Sequence, residues 1–213
     1  MRHLYPVYID LKNRQCLVIG GGKVAERKIA NLLEYGAQVT IVSPQVEANI
    51  RIWAAEETIV WYKREFTEHD LQNVFMVFIA TDNSSLNGEV AEFCRQKGIL
   101  VNAVDDPSNC DFFVPSIIRH GSLVISISTG GNSPLFAKKL RTDLEKVITP
   151  EYGEFIEMLG ETREYIKKNV PDIEVRKKIF ASLVYSDILD LLKVGEKEKA
   201  REKMETCMSS WLD

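Results

Sequence analysis

The sequence predicts an α/β fold built on a parallel sheet covered by helices on both faces. Short, continuously apolar runs alternate with amphipathic helical stretches from Cys16 to Asn102, and repeated strand–helix–strand units pack as a parallel sheet. The first apolar run ends in three glycines directly ahead of a helical pattern. After Pro150 the β signals fade and the chain reads as helical to its end.

Cys16-Leu17-Val18-Ile19 suits a strand buried on both faces. Val24 to Tyr35 follows with Val24, Ile29, Leu32 and Leu33 on one side, and Gly36 closes the helix. Val39 to Val42 is a second strand, Val46 to Glu57 a helix after Pro44, and Ile59 to Tyr62 a third strand. Val74 to Ala80 is the most apolar strand of all. Leu86 to Lys97 is a helix ended by Gly98, and Ile99 to Asn102 is the next strand. Beyond Pro107, Phe112-Phe113-Val114 with Ile117-Ile118-Arg119, the turn His120-Gly121, and Leu123 to Ser128 predict a hairpin. Ser133 as N-cap and Pro134 in the first turn start a helix to about Val147. Pro171 and Gly195 then divide the remainder into three expected helices, the last carrying the charge run Glu196 to Lys203 on a solvated face.

Bulk properties exclude several function classes. At 213 residues, with 45% hydrophobic and 27% charged residues, the chain has the make-up of a globular protein rather than a disordered one. No apolar run approaches the roughly 20 residues a membrane helix needs, and Met1 to Pro6 lacks a signal-peptide core. No membrane association is expected, and a cytoplasmic location follows as the default. The net charge of −4 argues against nucleic acid, whose partners carry a basic surplus. Cys16, Cys94, Cys110 and Cys207 show no zinc spacing, so they read as free thiols and no metal site is expected.

Gly20-Gly21-Gly22-Lys23-Val24-Ala25 fits G-x-G-x-x-A between a strand and a helix, the context that makes this motif informative. Gly20 permits the sharp turn, Gly22 leaves room for a pyrophosphate, and Ala25 lets the helix pack closely. The helix start then offers N–H groups and partial positive charge to phosphates. An acid that would bind the adenosine ribose is missing from the end of the next strand, where Val42-Ser43-Pro44-Gln45 stands. Ser43, Gln45 or backbone groups are left to hold the ribose. No arginine follows that strand immediately, which favours NAD over NADP, although Arg51 lies one turn later.

Other polar residues gather at the expected carboxyl ends of the strands. Thr81-Asp82-Asn83 follows the strongest strand; Thr81 can reach the nicotinamide half, and Asp82-Asn83 equally suit a helix cap. Asp105 can take a proton from substrate, ligate a metal or cap a turn, whereas Asp106-Pro107 reads as turn chemistry. His120 reads as an exposed turn histidine, or as a proton carrier or ligand. The loop Gly130-Gly131 before the Ser133 helix is a second potential anion site. Lys138, Lys139 and Arg141 on that helix either attract carboxylates or solvate it.

The segments CLVIGGGKVAERK, VTIVSP, FIATDN, VNAVDDP, FFVPSIIRHGSLVISISTGGNSP and FAKKLR, in this order over residues 1–148, closely resemble the precorrin-2 dehydrogenase family, including the N-terminal module of sirohaem synthases. The resemblance implies NAD-dependent oxidation of precorrin-2 to sirohydrochlorin, with ferrochelatase activity in some members as the alternative. A non-catalytic, nucleotide-sensing module is the reading from another class. The resemblance further implies a Rossmann domain over residues 1–111, a dimerisation segment of hairpin and helix over 112–149, and an all-helical domain over 150–213. It sets Gly20, Gly22, Lys23, Val24, Ser43 and Pro44 against the dinucleotide and makes Asp105 the family's key aspartate. The tetrapyrrole substrate carries eight carboxylates, for which Arg119, Lys138, Lys139 and Arg141 are the candidate cradle. A homodimer is expected. Because no methyltransferase module follows, a separate uroporphyrinogen methyltransferase is expected to supply precorrin-2.

Overall fold

The computed structural model describes residues 3–209; Met1, Arg2 and the last four residues of the expected helical domain lie outside the described residues. The chain divides into two compact units, Met1–Val114 and Pro115–Asp213.

The first unit is a five-stranded parallel sheet in the order β3-β2-β1-β4-β5. Its strands are β1 (Gln15–Ile19), β2 (Gln38–Val42), β3 (Val60–Tyr62), β4 (Met76–Ile79) and β5 (Leu100–Ala103). The helices are α1 (Lys23–Glu34), α2 (Ala48–Ala55) and α3 (Ser84–Lys97). The unbroken apolar run from Cys16 to Ile19 in β1 has a simple cause. Cys16 and Val18 point into a core shared with Ala25, Ile29 and Leu32 of α1 and Ile50 of α2. Leu17 and Ile19 point into the opposite core with Val90, Ala91 and Cys94 of α3. Side chains alternate across a strand, so a strand with a core on each face needs an apolar residue at every position. Burying each of these isoleucines and leucines contributes about 2 kcal/mol.

Register aligns the strand ends. Ile19 lies opposite Val42 and Ile79, and Ile79 lies opposite Ala103. The turns that follow β1, β2, β4 and β5 therefore emerge along one edge. Chain order reverses between β1 and β4, the place where ligands bind in such sheets.

The second unit opens with the antiparallel hairpin β6 (Ser116–His120) and β7 (Leu123–Ile127), turned at Gly121 with φ +55°. Helix α4 (Pro134–Leu144) follows, and Ile118, Ile127 and Ala137 form a small core between them. Helices α5 (Pro150–Asn169), α6 (Ile173–Val184), α7 (Ile188–Lys193) and α8 (Lys197–Ser209) complete it around Phe155, Ile166, Ile179, Leu183, Ile188 and Leu192.

Two sequence expectations are corrected. Phe112 to Val114 are not strand residues. The Phe112 carbonyl accepts from Asn102 Nδ2 at 2.9 Å, and its ring packs edge-on against Phe78 with centroids 5.5 Å apart. Phe112 and Phe113 anchor the chain to the two cores, while Val114 is exposed. The expected three C-terminal helices are four, because the chain also breaks at Tyr185–Asp187. The Ser186 hydroxyl donates to the Leu183 carbonyl at 2.7 Å, a local bond that competes with helix continuation.

Candidate dinucleotide site

The glycine turn is tightest at its first two residues. Gly20 has φ +103°, and a Cβ there would lie 2.1 Å from the Ala80 carbonyl oxygen. A Cβ at Gly21 would lie 1.9 Å from the Gln45 carbonyl oxygen, so both glycines are required by neighbouring backbone. Gly22 differs. It has an ordinary φ of −81°, and a Cβ there would meet no protein atom within 4 Å. Nothing in the protein asks for a glycine at that position, and the space beside it is open to a ligand.

Gly22 is also the N-cap of α1 and supplies no side-chain cap. The first turn of α1 keeps the N–H groups that a helix start leaves unpaired, with the positive end of its dipole. These groups border a cleft of about 590 Å³ lined by Gly20, Gly22, Lys23, Val24, Ser43, Pro44 and Thr81. These seven residues, singled out for the dinucleotide from the sequence, thus share one cavity, whereas Gln45, the other ribose candidate, is not in its lining. Its donor set fits a pyrophosphate: backbone N–H groups, the Lys23 ammonium and a side-chain-free approach at Gly22.

Ser43 is held on three sides. Its N–H donates to the Tyr62 carbonyl at 3.2 Å, its carbonyl accepts from Trp61 Nε1 at 2.9 Å, and its hydroxyl donates to the Gln45 carbonyl at 2.6 Å. The hydroxyl oxygen can still accept a hydrogen bond. Thr81 donates its hydroxyl to Asn87 Oδ1, and Asn87 Nδ2 returns a bond to the Thr81 carbonyl at 3.1 Å. Asn83 caps α3 by accepting from the Leu86 N–H at 3.1 Å.

The same cleft is lined by residues the sequence did not mark, among them Glu65 and Phe66. Both lie in the loop after β3, which carries no ligand motif. Its one readable signal is the Thr-x-x-Asp spacing of a capping box, realised by Thr67 and Asp70.

Asp105 sits on the turn after β5, at the same sheet edge, outside the lining of the cleft. It is exposed, in left-handed backbone with φ +59°, and its carboxylate makes no hydrogen bond or ion pair among the described residues. Asp106 beside it accepts from Ser108 and Asn109, and these bonds hold its carboxyl below the usual range. Lys28, unmarked in the sequence reading, is half-buried with Nζ 5.3 Å from the Phe78 ring centroid. Burial first, then Arg27, push its pKa down, while Cys110 and Asp105 pull it back up.

In the second unit, His120 is not an exposed turn residue. It is partly buried at the end of β6 with Nε2 2.9 Å from the Ile148 carbonyl, to which it donates. A Cβ on Gly153 would approach the His120 carbonyl to 2.5 Å, so α5 packs directly on this strand end. The second glycine loop is internally satisfied. The Ser133 hydroxyl accepts from the Phe136 N–H at 3.3 Å, and the Thr129 hydroxyl accepts from the Ser133 N–H at 3.0 Å. Lys139 pairs with Asp143, and Arg141 with Glu145 at 3.0 Å. Lys138 is exposed without an ion pair among the described residues, and Arg119 is exposed on β6.

Residues 7–116 match a family described as putative NAD(P)-binding, 120–146 the sirohaem biosynthesis protein central region, and 151–208 the sirohaem synthase dimerisation region. The chain belongs to the family of precorrin-2 dehydrogenases and sirohaem synthase N-terminal modules. It is 36% identical over 209 residues to the siroheme synthase of Thioalkalivibrio sulfidiphilus (strain HL-EbGR7), covering 98% of this chain and 43% of that protein. It is 33% identical to the siroheme synthase of Nitrosococcus oceani, covering 95% of this chain and 43% of the relative. The chain thus spans less than half the length of these curated relatives. A solved structure of SirC, a precorrin-2 dehydrogenase, superposes with a TM-score of 0.80 at 29% identity, covering 97% of this chain and 100% of that one.

Within this family frame, the description that mentions dimerisation attaches to residues 151–208. The reading from sequence put the pairing segment at 112–149.

Proposed function

We propose that the chain is an NAD-dependent dehydrogenase that converts precorrin-2 to sirohydrochlorin in sirohaem biosynthesis. The observation that carries this reading is the uncapped start of α1 beside Gly22, opening into the cleft. It occurs in a chain that matches the SirC dehydrogenase over nearly the full length of both. When bound, NAD supplies the hydride acceptor at its nicotinamide.

The protein's own groups do the rest. The first-turn N–H groups of α1 and Lys23 bind the pyrophosphate, Ser43 and Pro44 border the adenosine ribose, and Thr81 borders the nicotinamide half. Oxidation of precorrin-2 also releases a proton, which Asp105 accepts directly or through water. Its exposed carboxylate, unpaired among the described residues, suits that role. Arg119, Lys138, Lys139 and Arg141 meet substrate carboxylates, with Lys139 and Arg141 exchanging their helix partners for the ligand. The molecule works as a cytoplasmic homodimer, paired through residues 112–149 together with the segment matching the dimerisation region. Among the described residues no helix is long and apolar enough to cross a membrane.

Anaerobic turnover of precorrin-2 with NAD⁺ tests the reading. The wild type should produce NADH, and Asp105→Ala should be slower by about 100-fold or more, the usual range for loss of a proton-transfer group. No NADH from the wild type refutes the function; full activity in the variant removes Asp105 from the chemistry.

A further inference from the structure

The residue that reads the adenosine ribose in dinucleotide folds is an acid at the end of β2, and this chain has Ser43 there instead. We infer that Glu65, from the loop after β3, supplies the missing carboxylate and makes the cleft select NAD over NADP. This rests on the dinucleotide reading of the cleft and extends it to a residue and a preference.

Four observations support it. Glu65 lines the same cavity as Ser43 and Pro44. β3 is the strand next to β2 on its outer side, and Ser43 is tied to β3 through the Tyr62 carbonyl, so the loop after β3 borders the adenosine end. The Glu65 carboxylate has no hydrogen bond or ion pair among the described residues, so its acceptor capacity is free. The loop carrying it is braced. Arg64 grips Asp70 with both terminal nitrogens, at 2.8 and 2.5 Å, and donates to the Glu65 carbonyl at 3.0 Å. Asp70 also accepts from the Thr67 N–H at 2.8 Å.

The brace has a second consequence. A 2′-phosphate needs a cation, and Arg64 is the neighbouring guanidinium, but its charge is spent on Asp70. Arg51, the other basic residue close to β2 in sequence, lies on α2 and outside the lining of the cleft. Lys23 lines the cleft at the α1 start, on the pyrophosphate side. An NAD ribose can therefore donate its 2′- and 3′-hydroxyls to Glu65, whereas an NADP 2′-phosphate meets a carboxylate of like charge. Ser43 contributes only an acceptor, because its proton is committed to Gln45.

Fluorescence titration of the full chain with NADH and NADPH tests this without any tetrapyrrole. The wild type should bind NADH at least about tenfold more tightly than NADPH, the scale of one charge-assisted hydrogen bond. Glu65→Gln should shrink the ratio about tenfold, and Glu65→Lys should turn the preference towards NADPH. Unchanged thermal midpoints in both variants, expected for an exposed side chain, separate this from misfolding. Equal binding of the two cofactors by the wild type overturns the proposal, as does a ratio that neither variant moves. Failure of the dinucleotide reading has a different signature: neither cofactor binds the wild type, and the proposal falls with the cleft.

Discussion

Two glycine loops lead into helices in this protein, and from the sequence both qualify as anion sites. At the first, Gly20 to Gly22 run into α1, which has no side-chain cap. At the second, Gly130 and Gly131 run into α4, whose first turn is capped by Ser133, itself held by Thr129. A glycine loop binds anions only where the protein leaves the helix N–H groups free. The serine before Pro134 already fills that role at α4. Glycine itself has different causes at the two loops: crowding by backbone at Gly20 and Gly21, and positive φ without close contact at Gly130.

Substitution should break the resemblance between the loops most strongly at Gly21. A methyl group there meets the Gln45 carbonyl oxygen at 1.9 Å, and neither partner can swing away because both are backbone. Gly21→Ala should lose about 3 kcal/mol or more, as overpacking against fixed atoms does. Gly130→Ala, with φ +61° and its nearest neighbour a side-chain nitrogen at 3.8 Å, should lose about 1 kcal/mol from backbone strain alone. Urea denaturation of both variants measures the difference. Equal losses would mean that the crowding at Gly21 is relieved by movement of the turn.

Gly22 and Ser133 sharpen the contrast, because both are N-caps. Gly22→Ala places its methyl in open space at an ordinary φ, so stability should fall by less than about 1 kcal/mol. If the dinucleotide lies as proposed, the methyl stands in the path of its pyrophosphate, and NADH affinity should drop at least about tenfold. Ser133→Ala should do the reverse, costing about 1 kcal/mol of stability through the lost cap and leaving NADH affinity unchanged. Thermal melts and cofactor titrations on the two variants give the four numbers. NADH binding that survives in Gly22→Ala would show that the pyrophosphate lies elsewhere in the cleft.

How far these features are readable in the sequence follows from what each residue answers to. The sheet is readable because two cores demand apolar residues at every position from Cys16 to Ile19 in β1 and throughout β4, and Gly98 announces the end of α3 by adopting φ +67°. Phe112 misleads because a ring anchored under the sheet has the same apolar signature as a strand residue. The break at Tyr185–Asp187 carries neither proline nor glycine, and only Ser186 hints at it. In the site, the motif exposes Gly20 and Gly22, yet the backbone collision at Gly21 needs Gln45 from another loop. His120 bonds to Ile148 across a separation that no local pattern encodes. Glu65 is missed because a charged residue in a loop looks solvated until the loop is seen to border a cleft.

Acid titration gives the smallest expected difference between the two regions. Asp70, braced by Arg64 in the unit of the first glycine loop, and Asp143 on the helix after the second, paired with Lys139 and with Lys146 just beyond the helix end, both have carboxyls held below the usual range. The hydrogen bond from Arg64 is the leading cause at Asp70, and that from Lys139 at Asp143. A depressed folded-state pKa stabilises the protein at pH above the unfolded carboxylate value and is lost as pH falls through the folded value. The pairs differ in exposure, with the Asp70 side chain 5% accessible and that of Asp143 42%. Water and salt screen the second pair, so it contributes little. Asp70→Asn should therefore flatten the fall in urea midpoint from neutral pH into the carboxylate range, whereas Asp143→Asn should leave that slope close to the wild type. Added salt should erase what small effect Asp143 has and spare most of that of Asp70. Equal slopes in the two variants would mean that the Arg64 brace is as loosely held as a surface pair, and the fixed position of Glu65 would lose its support.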